Sequence, residues 1–171
     1  MFWFKILKKI VKLLNSNISP DELALGAALG AVVGLTPLVG LHNLFIVVLM
    51  IVLNVNPAAS GLSALFFGFL SLLADPLAHR IGHYLLVQNG ALTPLWTSLY
   101  NMPVVPWTRF YNTIFMGSFV ISLVLFVPVL VFSRKFIVYY RKNLMGRFQN
   151  MKITKMLKLT GVYKFYDKLR G

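Results

Sequence analysis

Residues 22–54 read ELALGAALGAVVGLTPLVGLHNLFIVVLMIVLN. After Glu22 no Asp, Glu, Lys or Arg interrupts this run. It is longer than the roughly 20 apolar residues that one membrane-crossing helix needs. Its centre is Gly34-Leu35-Thr36-Pro37-Leu38-Val39-Gly40. Pro37 removes a helical N–H, and the glycines are weak helix formers. Backbone freed at such a break must be satisfied within protein or beside water, away from lipid. The run therefore predicts two helices, over 20–34 and 38–54. The first is about 22 Å long at 1.5 Å per residue, too short to cross a bilayer alone. The simplest geometry is a re-entrant hairpin with its tip at Thr36-Pro37. The alternative is a pair that spans, with a later pair folding back.

Composition supports a membrane reading. The chain has 58% hydrophobic and 12% charged residues, with a mean hydropathy of +0.75; soluble domains carry about 25% charged residues. The expected class is an all-α, polytopic helical membrane protein with broken or re-entrant helices and amphipathic basic ends. The net charge of +13 is concentrated at those ends. Lys5, Lys8, Lys9 and Lys12 precede residue 15, eleven of the 17 basic residues lie from Arg134 onward, and only Arg80 and Arg109 sit between. Charge that flanks apolar segments reads as positive-inside bias and attraction to anionic lipid rather than nucleic-acid binding. Both termini are thus expected in the cytoplasm, with the chain multi-pass in a bacterial inner membrane. No cysteine is present, which excludes disulfides and thiolate ligands. The N-terminus lacks the pure apolar core and small-residue cleavage site of a signal peptide.

Three regions follow: an interfacial amphipathic helix over 1–15, a membrane domain over 16–133 and a basic amphipathic tail over 134–171. In the first, apolar positions recur at helical spacing and the lysines cluster on another face. Ser19 is a good N-cap, with Pro20 at the first helical position and Asp21 and Glu22 in the first turn. Gly26, Gly30 and Gly34 make a small-residue face for close helix approach. Asn56-Pro57 starts a helix over 57–74. Asp75-Pro76 reads as a stop and restart, with a more polar helix to about residue 87. Residues 88–108 carry no charge but three prolines and read as an interfacial loop. A last crossing helix is expected over 109–133, kinked at Pro128.

The candidate sites follow from these elements. At the tip, Thr36 and Pro37 with nearby His42 and Asn43 suit an anion or polar headgroup, because open helix ends leave polar backbone exposed; a plain kink is the other reading. Asp75, His79 and His83 share one helix face, with Arg80 beside them. Ionisable residues at membrane depth suggest proton, solute or headgroup handling, although Asp75 is also a cap. Arg109 pairs with Asp75 or a lipid phosphate, or snorkels. Trp96, Tyr100 and Trp107 suit docking of a partner protein. No catalytic triad, nucleotide loop or paired-carboxylate pattern is present, so neither an enzyme nor a cofactor or metal protein is expected.

Ser19-Pro20-Asp21-Glu22-Leu23-Ala24, the Gly26 and Gly34 flanks, Pro37, Gly40-Leu41-His42-Asn43, Asn54-Val55-Asn56-Pro57, Asp75-Pro76-Leu77 and Gly82 resemble the bacterial family called domain of unknown function 2062. Residues 109–117 resemble its final membrane helix, and the likeness covers roughly residues 15–140. Asp75 stands where that family usually has Asn. The resemblance implies an inner-membrane protein. It is nearest to a short branch paired with a larger, envelope-spanning partner of the AsmA or TamB type, which implies phospholipid transfer or anchoring of that bridge. A small-solute or ion transporter using Asp75, His79 and His83, and a purely structural anchor, are the alternatives.

Overall fold

The computed structural model describes residues 2–144, and every regular element among them is helical. Helix α1 spans Phe2–Leu14 and α2 spans Pro20–Leu35. The Ser19 side chain accepts from the Glu22 N–H at 3.1 Å, closing the start of α2 as its sequence predicts. Thr36 leaves the helical region, φ −93° and ψ 155°, as the residue before a proline is pushed to do. Helix α3 is Leu41–Val52, so it starts three residues later than the pattern suggested. Asn54 then takes a left-handed φ of 50°. Asn56 caps α4 by accepting from the Ala58 and Ala59 N–H groups, both at 3.0 Å.

Helix α4 runs unbroken over Pro57–His83, which corrects the expected stop at Asp75. Pro76 lies inside it. Asp75 is therefore a mid-helix residue and not a cap. A single π-helical turn, Tyr84–Gln88, extends it. The segment expected as a plain loop holds the short helix α5, Thr93–Tyr100, between 3₁₀ turns at Gly90–Leu92 and Val105–Thr108. Helix α6 is Thr113–Tyr139, continued by a π turn over Tyr140–Leu144. It begins four residues later than expected because Arg109 adopts a left-handed φ of 60° and Asn112 supplies the cap. It also passes through Pro128 and residue 134, so the basic segment begins as a continuation of this helix. The remainder of that tail, 145–171, lies outside the described residues.

Helices α2, α4 and α6 form the body. α2 and α4 run the same way and touch through Gly30 and Gly34. A Cβ at Gly30 would overlap the Ser60 carbonyl, and one at Gly34 the Ala64 carbonyl. α6 runs antiparallel to α4, and there the close approach is at Gly82 against Thr113 and Gly117 against Ala78. Such backbone contact is how helices pack where apolar surroundings supply no hydrophobic drive. α3 returns beside α2, with Ile46 in one core with Leu29 and Val32. The chain thus enters and leaves the α2–α3 hairpin at one end of the bundle. That end holds Leu14, Leu23, Ala59, Ile137 and Tyr140 in a shared core.

The basic end is pinned by Arg134 paired with Asp21 and by Arg141. The Arg141 guanidinium donates to the Leu14 carbonyl at 3.0 Å and the Ile18 carbonyl at 2.8 Å, which caps α1 from a residue far along the chain. Pro57–Gln88 and Thr113–Asn143 are each long and apolar enough to cross a membrane. Neither is a buried core helix: only 11% and 28% of their most apolar windows are buried. Phe45, Phe69, Leu73, Val124 and Phe132 are all more than 60% exposed.

Candidate functional site

The break after α2 is closed by side chains that lie within seven residues of it. The Thr36 hydroxyl donates to the Val32 carbonyl at 2.8 Å and is hydrogen-bonded with His42 Nε2 at 3.1 Å. Asn43 Nδ2 donates to the carbonyls of both Pro37 and Leu38, each at 3.0 Å. Thr36 and Asn43 are buried. His42 stacks edge-on against Phe115 of α6, ring centres 4.6 Å apart. Its Nδ1 is buried without a hydrogen-bond partner. Gly40 makes room for the ring, since a Cβ there would sit 2.6 Å from Nδ1. The four sequence-derived residues of the tip, Thr36, Pro37, His42 and Asn43, therefore do converge. They converge to satisfy the broken backbone. Pro37 itself is exposed with Leu38 and Val39, and Asn43 satisfies the Pro37 and Leu38 carbonyls from within the chain.

Beside this turn lies a hollow of about 670 Å³, within the range of small-molecule sites. Thr36, Pro37 and Leu38 form one wall; Leu65, Phe69 and Leu72 of α4 form another. Asp75 and Ile114 close its far end, and Gly61 and Gly68 lie on its floor. The sequence separates Asp75 from Thr36 by a whole hairpin, yet the fold places them in one hollow. A second hollow of about 930 Å³ lies at the basic end, lined by Lys9, Lys12, Ser16, Ala58, Gly61 and Leu65.

The polar face of α4 is more dispersed. His79 Nδ1 meets the Thr113 hydroxyl at 2.8 Å, tying α4 to the first residue of α6. His79 and His83 have ring centres 5.9 Å apart. Among the described residues no three His, Asp or Glu side chains converge into a metal site. Arg80 and Arg109 are exposed. Arg109 makes no ion pair with Asp75; Arg134–Asp21 is the ion pair found among the described residues.

The aromatic segment divides in two. Trp96 is half-buried, its indole N–H donating to the Leu85 carbonyl at 2.9 Å and its ring near Phe110. Leu85 lies in the π turn, where the helical hydrogen-bond register slips. Trp96 thus anchors the segment to the end of α4. Trp107 is 71% exposed, and Tyr100 and Tyr111 also face outward with rings 5.7 Å apart. Spacing gave no hint of Arg141, because it acts through the Leu14 and Ile18 carbonyls, distant in the chain.

A family model described as "Uncharacterized protein conserved in bacteria (DUF2062)" matches residues 5–145. The chain is also 28% identical over 140 residues to an uncharacterized protein of Treponema pallidum (strain Nichols), a match that covers 82% of this chain and 86% of the relative. No solved structure matches. The chain belongs to the DUF2062 family.

Proposed function

We propose that this DUF2062 protein is a multi-pass subunit of a bacterial inner membrane that assists phospholipid transfer to, or anchors, a periplasm-spanning bridge of the AsmA or TamB type. The observation that carries this reading is the hollow beside the α2–α3 turn, apolar along its length and open at the side. In a bilayer α4 and α6 cross, and the exposed apolar residues of α3, α4 and α6 face lipid. The hairpin is re-entrant: it enters from the cytoplasmic side with α1 and the basic residues, and returns there. Its turn reaches the level of Leu72 and Asp75 on α4, roughly 25 Å from Pro57, while α4 and its π turn continue for about another 20 Å. Acyl chains have lateral access to the hollow. Trp107, Tyr100 and Tyr111 at the far end offer rigid apolar area to the bridge.

The test is purification of the full chain, tagged in its native host, with bound proteins and lipids identified together by mass spectrometry. The reading expects a large periplasmic partner whose recovery falls at least tenfold in Trp107→Ala. Trp96→Ala instead destabilises the far end. Absence of a partner, with loss of an envelope-integrity phenotype confined to Asp75→Asn and His79→Ala, contradicts it and favours a transporter.

A further inference from the structure

The two hollows meet. Both are lined by Gly61 and Leu65 on the same face of α4, so they form one groove from Lys9 and Lys12 to the α2–α3 turn. From Ala58 to Leu72 it follows α4 for about 21 Å, longer than the roughly 15 Å depth of one leaflet. Its ends differ in charge. The basic end presents two ammonium groups, and no carboxylate lines it; Asp21 is paired with Arg134 instead. The far end holds Asp75.

Its floor is shaped unlike the helix contacts elsewhere. Gly30, Gly34, Gly82 and Gly117 are each pressed on a neighbouring carbonyl, whereas a Cβ at Gly61 would meet nothing within 4 Å, and one at Gly68 only the Gly34 carbonyl at 3.8 Å. Packing of this chain does not require glycine at residue 61. The absent side chain leaves space for a guest.

We infer that this groove binds a single anionic phospholipid, its phosphate held by Lys9 and Lys12 and one acyl chain laid over Gly61 and Gly68 toward the turn. This rests on the lipid-handling reading and names its ligand site. An anionic headgroup is favoured because two cations stand unopposed at the mouth, each strengthening attraction to an anionic lipid roughly fivefold near a membrane surface. A zwitterionic lipid gains less, since its own ammonium opposes theirs. Asp75 at the other end discourages the reverse orientation by repelling phosphate.

The groove's own structure provides a clean variant. Gly61→Leu projects into the groove from a position where a Cβ meets nothing within 4 Å, and leucine is the better helix former, so the fold survives. The full-length protein is equilibrated with vesicles of equal parts phosphatidylglycerol and phosphatidylethanolamine, extracted in mild detergent and weighed by native mass spectrometry. Wild type retains one phosphatidylglycerol in preference to phosphatidylethanolamine. Gly61→Leu loses retention of both at least fivefold, with an unchanged helical circular-dichroism spectrum. Lys9→Ala with Lys12→Ala abolishes the preference, while residual binding of either lipid persists. Undiminished retention in Gly61→Leu, an intact preference in the double lysine variant, or a protein helix recovered from the groove in place of lipid overturns the site. Lipid retention without any periplasmic partner would leave the site standing and remove only the bridge reading.

Discussion

Pro37 and Pro76 look alike in sequence and differ in outcome. Each follows a residue suited to a turn, Thr36 or Asp75, and each lies in an apolar run. Only Pro37 ends a helix; α4 continues through Pro76. At Pro37 the break is rewarded locally, because Asn43 donates to the two carbonyls that the turn leaves open. At Pro76 the next turns are held from across the bundle, by Ala78 against Gly117 and Gly82 against Thr113. A proline removes one hydrogen bond in either case. The destination of the freed backbone groups, and what grips the following turn, decides whether the helix stops.

Removing the grip on the turn after Pro76 should have the largest effect. Gly117→Leu forces a side chain into the Ala78 carbonyl and should cost more than about 3 kcal/mol, measured as unfolding in mixed detergent micelles. It should also raise amide exchange from Pro76 onward while leaving α2 protected. Uniform loss of protection would mean that α4 is held as one unit and that Pro76 is no weak point.

Asn43→Ala attacks the other side. It leaves the Pro37 and Leu38 carbonyls without their donor, at about 2–4 kcal/mol for the two, and should loosen residues 36–42 selectively. Stability within 0.5 kcal/mol of wild type, roughly the scatter of a neutral surface change, would show that the turn does not depend on this side chain. The smallest effect belongs to Pro76→Ala. Restoring an N–H to the helix should stabilise by about 1 kcal/mol, under the roughly 3 kcal/mol a proline costs in an exposed helix interior, because packing already holds the turn. A loss of stability would mean that Pro76 shapes α4 in a way the fold needs.

What the sequence disclosed follows the same division. Helix starts at Ser19 and Asn56 were legible because a cap bonds within three residues of itself. So was the break at Pro37. Continuity through Pro76 was hidden because it depends on Gly117, and the delayed start of α6 because a left-handed Arg109 precedes it. Thr36, His42 and Asn43 were found as a group, but their role in closing the backbone emerged only from which carbonyls they reach. Trp96 and Trp107 are equivalent as letters; one is an anchor because a π turn presents the Leu85 carbonyl to it. The close approach at Gly30 was legible in its spacing from Gly26 and Gly34, whereas the open side of Gly61 appears only once the neighbouring helix is in place.

A re-entrant α2–α3 hairpin would return to the side of the membrane it entered from. The described residues contain no cysteine, and neither does the rest of the chain, so single cysteines at Asn15, Leu38, Asn54 and Trp107 report without background. Labelling with a membrane-impermeant maleimide, in intact cells and in inverted vesicles, measures their sidedness. Asn15 and Asn54 should react only from the cytoplasmic face, Trp107 only from the periplasmic face, and Leu38 far more slowly than any of them from both. Reaction of Asn54 from the periplasmic face, or of Leu38 as fast as Trp107, would contradict it.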